Sequence, residues 1–217
     1  MRTQPPPQPP ARSSYRHGDL RRALLEAGIE LARGGGPEAV VLREATRRAG
    51  VVPNAAYRHF ASRLDLLREV RAAALSAVAA AMEKELAAVP AKGKAGDVAR
   101  AGLRAVGTGY LRFARAETGL FRTAFFAEPE VLGALAAGPA AAGPGGLDPF
   151  QLLGAALNRM VAARVLPTAR RPGAEFLAWA AVHGLALLTI DGPLRGAPDS
   201  VVEPLGQRLL DMVEAGI

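Results

Sequence analysis

Apolar residues recur at intervals of three and four along most of the chain, which is the spacing of one face of an α-helix. The first such stretch begins after Asp19 and ends at the glycine and proline run over residues 34–37. A second short helix is predicted over residues 42–49, with Gly50 in the left-handed conformation that ends many helices. A third is predicted over residues 53–60, because proline is well tolerated in a first turn.

Longer helical patterns occupy the rest of the chain. Ser62 and Asp65 have the spacing of a capping box and open a helix that is predicted to reach about Val89. Breaks that contain proline or glycine separate further predicted helices over residues 97–117, 120–126, 149–165, 174–190 and 200–215. Alanine is abundant and has the lowest free-energy cost in a helix, so the fold is predicted to be all-α.

These patterns divide the chain into three parts. Residues 1–14 are rich in proline and hold almost nothing apolar to bury, so they are predicted to form a disordered arm. A solvated tail is the favoured interpretation of this arm, and DNA contact through Arg12 or Arg16 is the alternative. Residues 15–62 form a predicted three-helix helix-turn-helix domain, and residues 63–217 a helical regulatory and dimerisation bundle.

Charge and composition narrow the possible classes of function. The formal net charge is +7, and the first 70 residues hold 12 arginines against 7 acidic residues. This excess suits a polyanion such as DNA, although an arginine-rich composition with solvated faces explains it equally well. The chain has no cysteine, which excludes zinc-finger DNA binding and disulfides. No metal or other cofactor is expected.

The longest apolar stretch, from Phe176 to Ile190, is interrupted by His183 and is shorter than the ~20 residues that span a bilayer. The N-terminus lacks the continuous apolar core of a secretory signal. We therefore expect no membrane association and predict a cytoplasmic protein.

The helix-turn-helix pattern contains three segments with a distinctive order of residues. They are Tyr15-Arg16-His17-Gly18-Asp19-Leu20, Leu42-Arg43-Glu44-Ala45-Thr46-Arg47-Arg48-Ala49-Gly50-Val51 and Tyr57-Arg58-His59-Phe60-Ala61-Ser62-Arg63. Together they resemble the DNA-binding domain of the TetR family of transcriptional regulators over about residues 15–70. The resemblance implies a recognition helix from Pro53 to Phe60, with DNA contacts also from Arg43 before it and Arg63 after it.

Eight residues are candidate DNA contacts, namely Arg43, Pro53, Asn54, Ala55, Tyr57, Arg58, His59 and Arg63. Asn54 can pair with adenine, Ala55 can touch a thymine methyl group, and Arg43 is the favoured guanine reader. Tyr57, Arg58, His59 and Arg63 are assigned to phosphates. The alternatives are a packing role for His59 and plain solvent exposure for Asn54.

Two features of the C-terminal part suggest a ligand site. Trp179, His183 and Gly184 resemble the Trp-His-Gly signature of one TetR subgroup. Trp179 and His183 share a helix face, and a bond from the imidazole to a neighbouring helix is favoured over direct ligand contact. An effector pocket is predicted among the aromatic residues Tyr110, Phe113, Phe121, Phe125 and Phe126, with ordinary core packing as an equal alternative. The ligand would be small and largely apolar.

The resemblance also implies that the last two helices pair with their symmetry mates in a homodimer. Apolar residues recur at heptad-like spacing in the last predicted helix, at Leu205, Leu209, Met212 and Val213. A two-fold dimer suits a palindromic DNA operator, because each half-site needs one reading helix.

The sequence is therefore interpreted as a DNA-binding regulator, usually a repressor in this family, that a small effector releases from double-stranded operator DNA. An enzyme on a helical bundle is disfavoured because no paired Glu-x-x-His motif is present. An architectural DNA binder without a sensor is the second alternative.

Overall fold

The computed structural model describes residues 17–126 and 139–217. The predicted arm over residues 1–14 lies outside the described residues. Within them all regular structure is helical, which confirms the all-α prediction. No helix in these two ranges is long and apolar enough to cross a membrane.

The N-terminal module consists of α1 (His17–Gly35), α2 (Leu42–Arg48) and α3 (Pro53–Ala56), with one 3₁₀ turn between α1 and α2. The predicted third helix over 53–60 is too long, because the regular helix ends at Ala56. The amides of His59 and Phe60 both donate to the Ala56 carbonyl, at 2.8 and 2.9 Å, so the chain tightens into a turn. This turn delivers the Phe60 ring to the core, where it is fully buried.

The long helix α4 (Arg63–Ala87) leaves the N-terminal module and enters the bundle. Its start is fixed as predicted, since the Ser62 hydroxyl accepts from the Asp65 amide at 3.1 Å. The remaining helices are α5 (Ala95–Ala116), α6 (Thr118–Ala124), α7 (Pro149–Ala162), α8 (Ala174–Ile190) and α9 (Asp199–Gly216). They match the predicted helices to within a few residues at each end.

Helix α5 is central to the bundle, where it packs against α4, α7, α8 and α9. Apolar side chains from α1 through α9 form one continuous buried core. The N-terminal module is therefore attached to the bundle by packing as well as by the chain itself.

Two contacts besides α4 join the N-terminal module to the bundle. Gly119 in α6 lies so close to α1 that a Cβ atom there would stand 2.3 Å from the carbonyl oxygens of Ala32 and Arg33. Next to it, Arg33 Nε donates to Glu117 at 2.9 Å. A movement of α6 or α4 inside the bundle would therefore displace α1.

Candidate functional site

The turn between α2 and α3 is built on local hydrogen bonds. Gly50 has φ of 68°, a conformation that costs glycine little and other residues more. The Val51 amide donates to the Thr46 carbonyl at 3.0 Å, and the buried Thr46 hydroxyl donates to the Arg43 carbonyl at 2.7 Å. Val52 stands at the N-cap of α3 and supplies no side-chain cap. The turn is thus held by α2 and the core beneath it.

The outer face of α2 and α3 carries most of the predicted DNA contacts. The side chains of Arg43, Asn54, Tyr57 and Arg58 are exposed there, whereas Ala55 and His59 are half-buried. For Pro53 the structure gives the backbone position, at the first residue of α3. We call the four exposed side chains the reading face.

The arginines near the reading face fall into two groups. Arg47 donates to Glu44 at 2.6 and 2.9 Å, and Arg48 Nε lies 3.4 Å from the same carboxylate. These arginine hydrogen bonds, chiefly those from Arg47, lower the pKa of Glu44 to about 2. Arg43 and Arg58 form no ion pair with any acidic residue in the described ranges. Their charges are left for another molecule or for water.

Arg63 has a role that the sequence did not reveal. Its Nε donates to the Val40 carbonyl and its Nη2 to the Pro37 carbonyl, both at 2.8 Å. The guanidinium therefore ties the start of α4 to the chain between α1 and α2. These partners lie more than twenty positions away, so no local pattern could have indicated them. The predicted phosphate contact stays a prediction.

A hydrogen-bonded group links α5 and α8 inside the bundle. The Tyr110 hydroxyl accepts from Trp179 Nε1 at 3.1 Å and is hydrogen-bonded to His183 Nδ1 at 2.7 Å, where it donates when the imidazole carries its proton on Nε2. The expected bond from His183 to a neighbouring helix is therefore present. Burial lowers the pKa of His183 and raises that of Tyr110, so both side chains are held neutral.

A cavity of about 170 Å³ lies between α4, α5, α7, α8 and α9. Of the predicted pocket residues, Tyr110, Phe125 and Trp179 line it. The other four do not, and they are Phe113, Phe121, Phe126 and His183. Phe113 and Phe121 are instead buried in the core, and the Phe121 ring packs edge-on against Tyr110 at 5.2 Å. For these two residues the alternative prediction, ordinary core packing, describes their position.

The sequence interpretation missed several residues of the cavity wall. Phe150 and Phe176 stand at its edge, where their partly exposed rings lie 5.4 Å apart. Arg71 lies in the wall one helical turn from Leu67 and from Leu75, both of which are buried. An arginine on the apolar stripe of α4 was a signal that the sequence did offer.

The charged side chains around the cavity differ in whether an ion pair or hydrogen bond compensates their charge. Arg104 pairs with Asp211 and, at 2.7 Å, with Glu214. Asp148 caps α7, because its side chain accepts from the Gln151 amide at 2.8 Å. Arg71 has no hydrogen bond or ion pair with any described residue, and its Nε is fully buried. Burial lowers the pKa of this guanidinium, which nevertheless stays protonated.

Helices α8 and α9 present an exposed apolar surface, which we call the α8–α9 face. It consists of Phe176, Leu177, Leu187, Leu188, Val201, Leu205 and Met212. Of the predicted dimer residues, Leu205 and Met212 lie on this face and Leu209 is half-buried. Val213 is only 7% exposed and lines the cavity, since it projects from another side of α9 than Met212. It therefore belongs to the interior of the protomer.

Comparison with known proteins identifies both parts of the chain. Residues 103–213 match the family model described as tetracyclin repressor-like, C-terminal domain, and residues 24–70 match that of the bacterial regulatory proteins of the tetR family. No curated protein sequence matches the chain significantly.

Several solved structures have a similar fold. A protein of unknown function from Rhodococcus sp. RHA1 is 26% identical, with a TM-score of 0.73 over 95% of this chain and 99% of that one. The transcriptional regulator FadR from Bacillus subtilis, in complex with stearoyl-CoA, is 13% identical, with a TM-score of 0.64 over 90% and 98%. PfmR from Thermus thermophilus, a TetR family regulator, is 22% identical, with a TM-score of 0.55 over 89% and 98%.

Proposed function

The chain belongs to the TetR family of transcriptional regulators, and we propose that it binds a palindromic operator as a homodimer and represses transcription in the cytoplasm. A small ligand in the cavity releases the operator. The observation that carries this proposal is the reading face, a set of exposed polar and cationic side chains on a turn held by the core.

Each of the eight candidate DNA contacts has a proposed role on the operator. Arg43 pairs with guanine, and Asn54 pairs with adenine. The methyl group of Ala55 touches thymine, and Pro53 starts the recognition helix close to the bases. The phosphate contacts come from Tyr57, Arg58, His59 and Arg63. For Arg63 such a contact would add to its two carbonyl bonds, because a guanidinium carries five N–H donors.

The homodimer is proposed to form through the α8–α9 face. Leu177 and Met212 are 64% and 60% exposed, and apolar side chains in such numbers are seldom left in water by a monomer. Two-fold pairing of this face would give the dimer two reading faces, one for each half-site of a palindrome. Leu205 contributes to the interface, and Leu209 supports it from the half-buried side.

Release by a ligand is supported by the connections between cavity and reading face. Arg71, Leu75 and Met82 of α4 line the cavity, and the same helix begins at Arg63, close in the chain to the reading face. The cavity also touches Phe125 at the end of α6, which packs on α1. A ligand that prefers one placement of α4 and α6 would shift the dimer toward it. The complex of FadR with stearoyl-CoA is an example of a protein of this fold that holds a ligand.

The test is selection of bound fragments from sheared genomic DNA, followed by footprinting of the enriched sequence with the full-length protein. We expect an enriched inverted repeat, protected on both halves. Binding that enriches no sequence would reassign the protein to the architectural DNA binders, and failure to bind any DNA would overturn the proposal as a whole.

A further inference from the structure

Arg71 is the charged group of the cavity wall whose environment is unusual. The cavity is lined mainly by apolar side chains from five helices, and the half-buried Arg71 belongs to that lining. Removing a cation from water is costly unless an anion or hydrogen-bond acceptor compensates for it. Across the described ranges, Arg71 has neither. Within the described residues, Arg71 therefore has a shielded nitrogen and a charge that no acidic side chain compensates.

The other charges of the cavity cannot supply that anion. Glu214 and Asp211 are engaged by Arg104, and Arg100 Nε also lies 3.6 Å from Glu214. Asp148 is held by the amide that it caps. The Tyr110 hydroxyl, the remaining polar group of interest, is occupied by Trp179 and His183. Among the described residues of the lining, a ligand would thus meet Arg71 as the one cationic side chain without an acidic partner, in a largely apolar chamber.

We propose that the cavity binds a small organic carboxylate, with its carboxylate on Arg71 and its apolar body between Phe125, Phe150 and Trp179. This inference rests on the proposed function, in which the cavity is the sensor. A planar carboxylate matches the fork of a single guanidinium and can accept two parallel hydrogen bonds from it. A phosphate dianion fits less well, because one arginine would leave half its charge unmatched.

The volume of the cavity limits the size of the apolar body. At about 170 Å³ it is close to the roughly 150 Å³ of an engineered cavity that binds benzene. A phenyl ring or a chain of about six carbons therefore fills it. Hexanoate and benzoate are suitable probes, and hexanamide and benzamide are neutral analogues of nearly the same shape.

The experiment measures binding of these four compounds to the full-length protein without DNA, by isothermal titration and thermal melting. Hexanoate and benzoate are expected to bind at least about tenfold more tightly than their amides, because hydrogen bonds to charged groups are the stronger kind. Each carboxylate should also raise the melting temperature with increasing concentration. Equal affinity for acid and amide, or no binding of either, would overturn the inference.

Variants identify Arg71 as the anion site. Arg71→Gln is expected to abolish the preference for acid over amide, while Arg68→Gln is the control. Arg68 lies on the same helix but is half-exposed at the surface, where it pairs with Asp65. Without ligand, Arg71→Gln should melt at or above the temperature of the wild type, since it removes an uncompensated cation. If Arg71→Gln keeps the preference for acids, the inference fails.

The folding of Arg71→Gln and the absence of DNA from the titration each affect what the result means. If Arg71→Gln does not fold, Arg71 has a structural role and the inference fails, because the cation is then compensated by the protein itself. Binding is measured without DNA, so its outcome is independent of operator recognition. Carboxylate binding by a protein that selects no operator would support the inference and overturn the proposed function, and the reverse result would do the opposite.

Discussion

The reading face and the cavity both hold arginines that have no acidic partner among the described residues, but their surroundings differ. Arg43 and Arg58 stand in water on the outside of the N-terminal module, whereas Arg71 lies in the wall of an apolar chamber. Other arginines are paired, as Arg21 is with Glu69.

The difference decides how much each unpaired charge implies. An exposed guanidinium is well hydrated, so its lack of a partner costs little free energy and is compatible with a solvated surface. The proposal that the reading face binds DNA is therefore supported by the buried turn that holds Arg43 and by the family of the chain, and not by the unpaired charges. The Nε of Arg71 is shielded from water and has no partner among the described residues, so this charge indicates a missing ligand more strongly than Arg43 or Arg58 does.

Operator binding by the reading face is expected to require the dimer, whereas the cavity lies within one protomer and should bind its ligand in a monomer. Met212→Asp places two like charges at the proposed interface and should produce monomers. Loss of the second reading face should lower operator affinity by about 10²- to 10⁴-fold, since the two half-sites are no longer bound as a unit. Gln207→Asp, on another side of α9, is the control. Sedimentation that still finds a dimer with native helix content would place the interface elsewhere.

Truncating an aromatic residue of the core should lower the unfolding free energy more than truncating one that lines the cavity. Phe121 is 1% exposed, so Phe121→Ala is expected to cost about 3–5 kcal/mol of unfolding free energy. Phe125 is half-buried and lines the cavity, so Phe125→Ala should cost less and mainly weaken carboxylate binding. Chemical denaturation and ligand titration of both variants give the comparison. Equal destabilisation by the two would assign Phe125 to the core.

The two unpaired arginines of the reading face should differ from each other. Arg43→Ala is expected to cost roughly 1–3 kcal/mol of operator binding and to relax the preference at one base pair. Arg58→Ala should weaken all sequences alike and reduce the salt slope of log affinity by about one unit. Titrations on operator and point-substituted operators at several salt concentrations separate the two roles. A uniform loss with Arg43→Ala would make it a phosphate contact.

The smallest expected effect is a pH dependence from His183. Its pKa in the folded protein is lowered by burial, so the unfolded chain takes up a proton more readily. The contribution of neutral His183 to the free energy of unfolding is therefore complete above the unfolded pKa of about 6.5. It is lost as the pH falls from there toward the folded pKa. His183→Asn keeps an acceptor for Tyr110 without a titrating ring and should flatten melting temperature against pH between about 7.5 and 5.5.

The sequence predicted what local patterns control. Helical spacing located α1, α4, α5 and α8 well, and Ser62 caps α4 as its position beside Asp65 indicated. It could not predict contacts between distant segments. The two carbonyls bound by Arg63 are an example, as is the placement of Val213 inside the protomer while Met212 faces out. Adjacent residues on a helix differ by about 100°, and only packing decides which of them is covered.

The cavity shows the same limit more sharply. Aromatic residues predict burial equally well whether they fill a core or line a chamber, so Phe121 and Phe125 could not be separated by type. Arg71 was the more informative residue, because a charge on an apolar helix stripe conflicts with its surroundings. Such local conflicts are expected at functional sites.

The most direct test of the account is one titration of labelled operator with the full-length protein at increasing hexanoate. Operator affinity is expected to fall and level off in the wild type, by about 5- to 150-fold for a typical coupling between sites, and to stay unchanged in Arg71→Gln. The same coupling requires hexanoate to bind more weakly when operator is present. Hexanoate that binds the cavity and leaves operator affinity unchanged would contradict it, because reading face and cavity would then be independent.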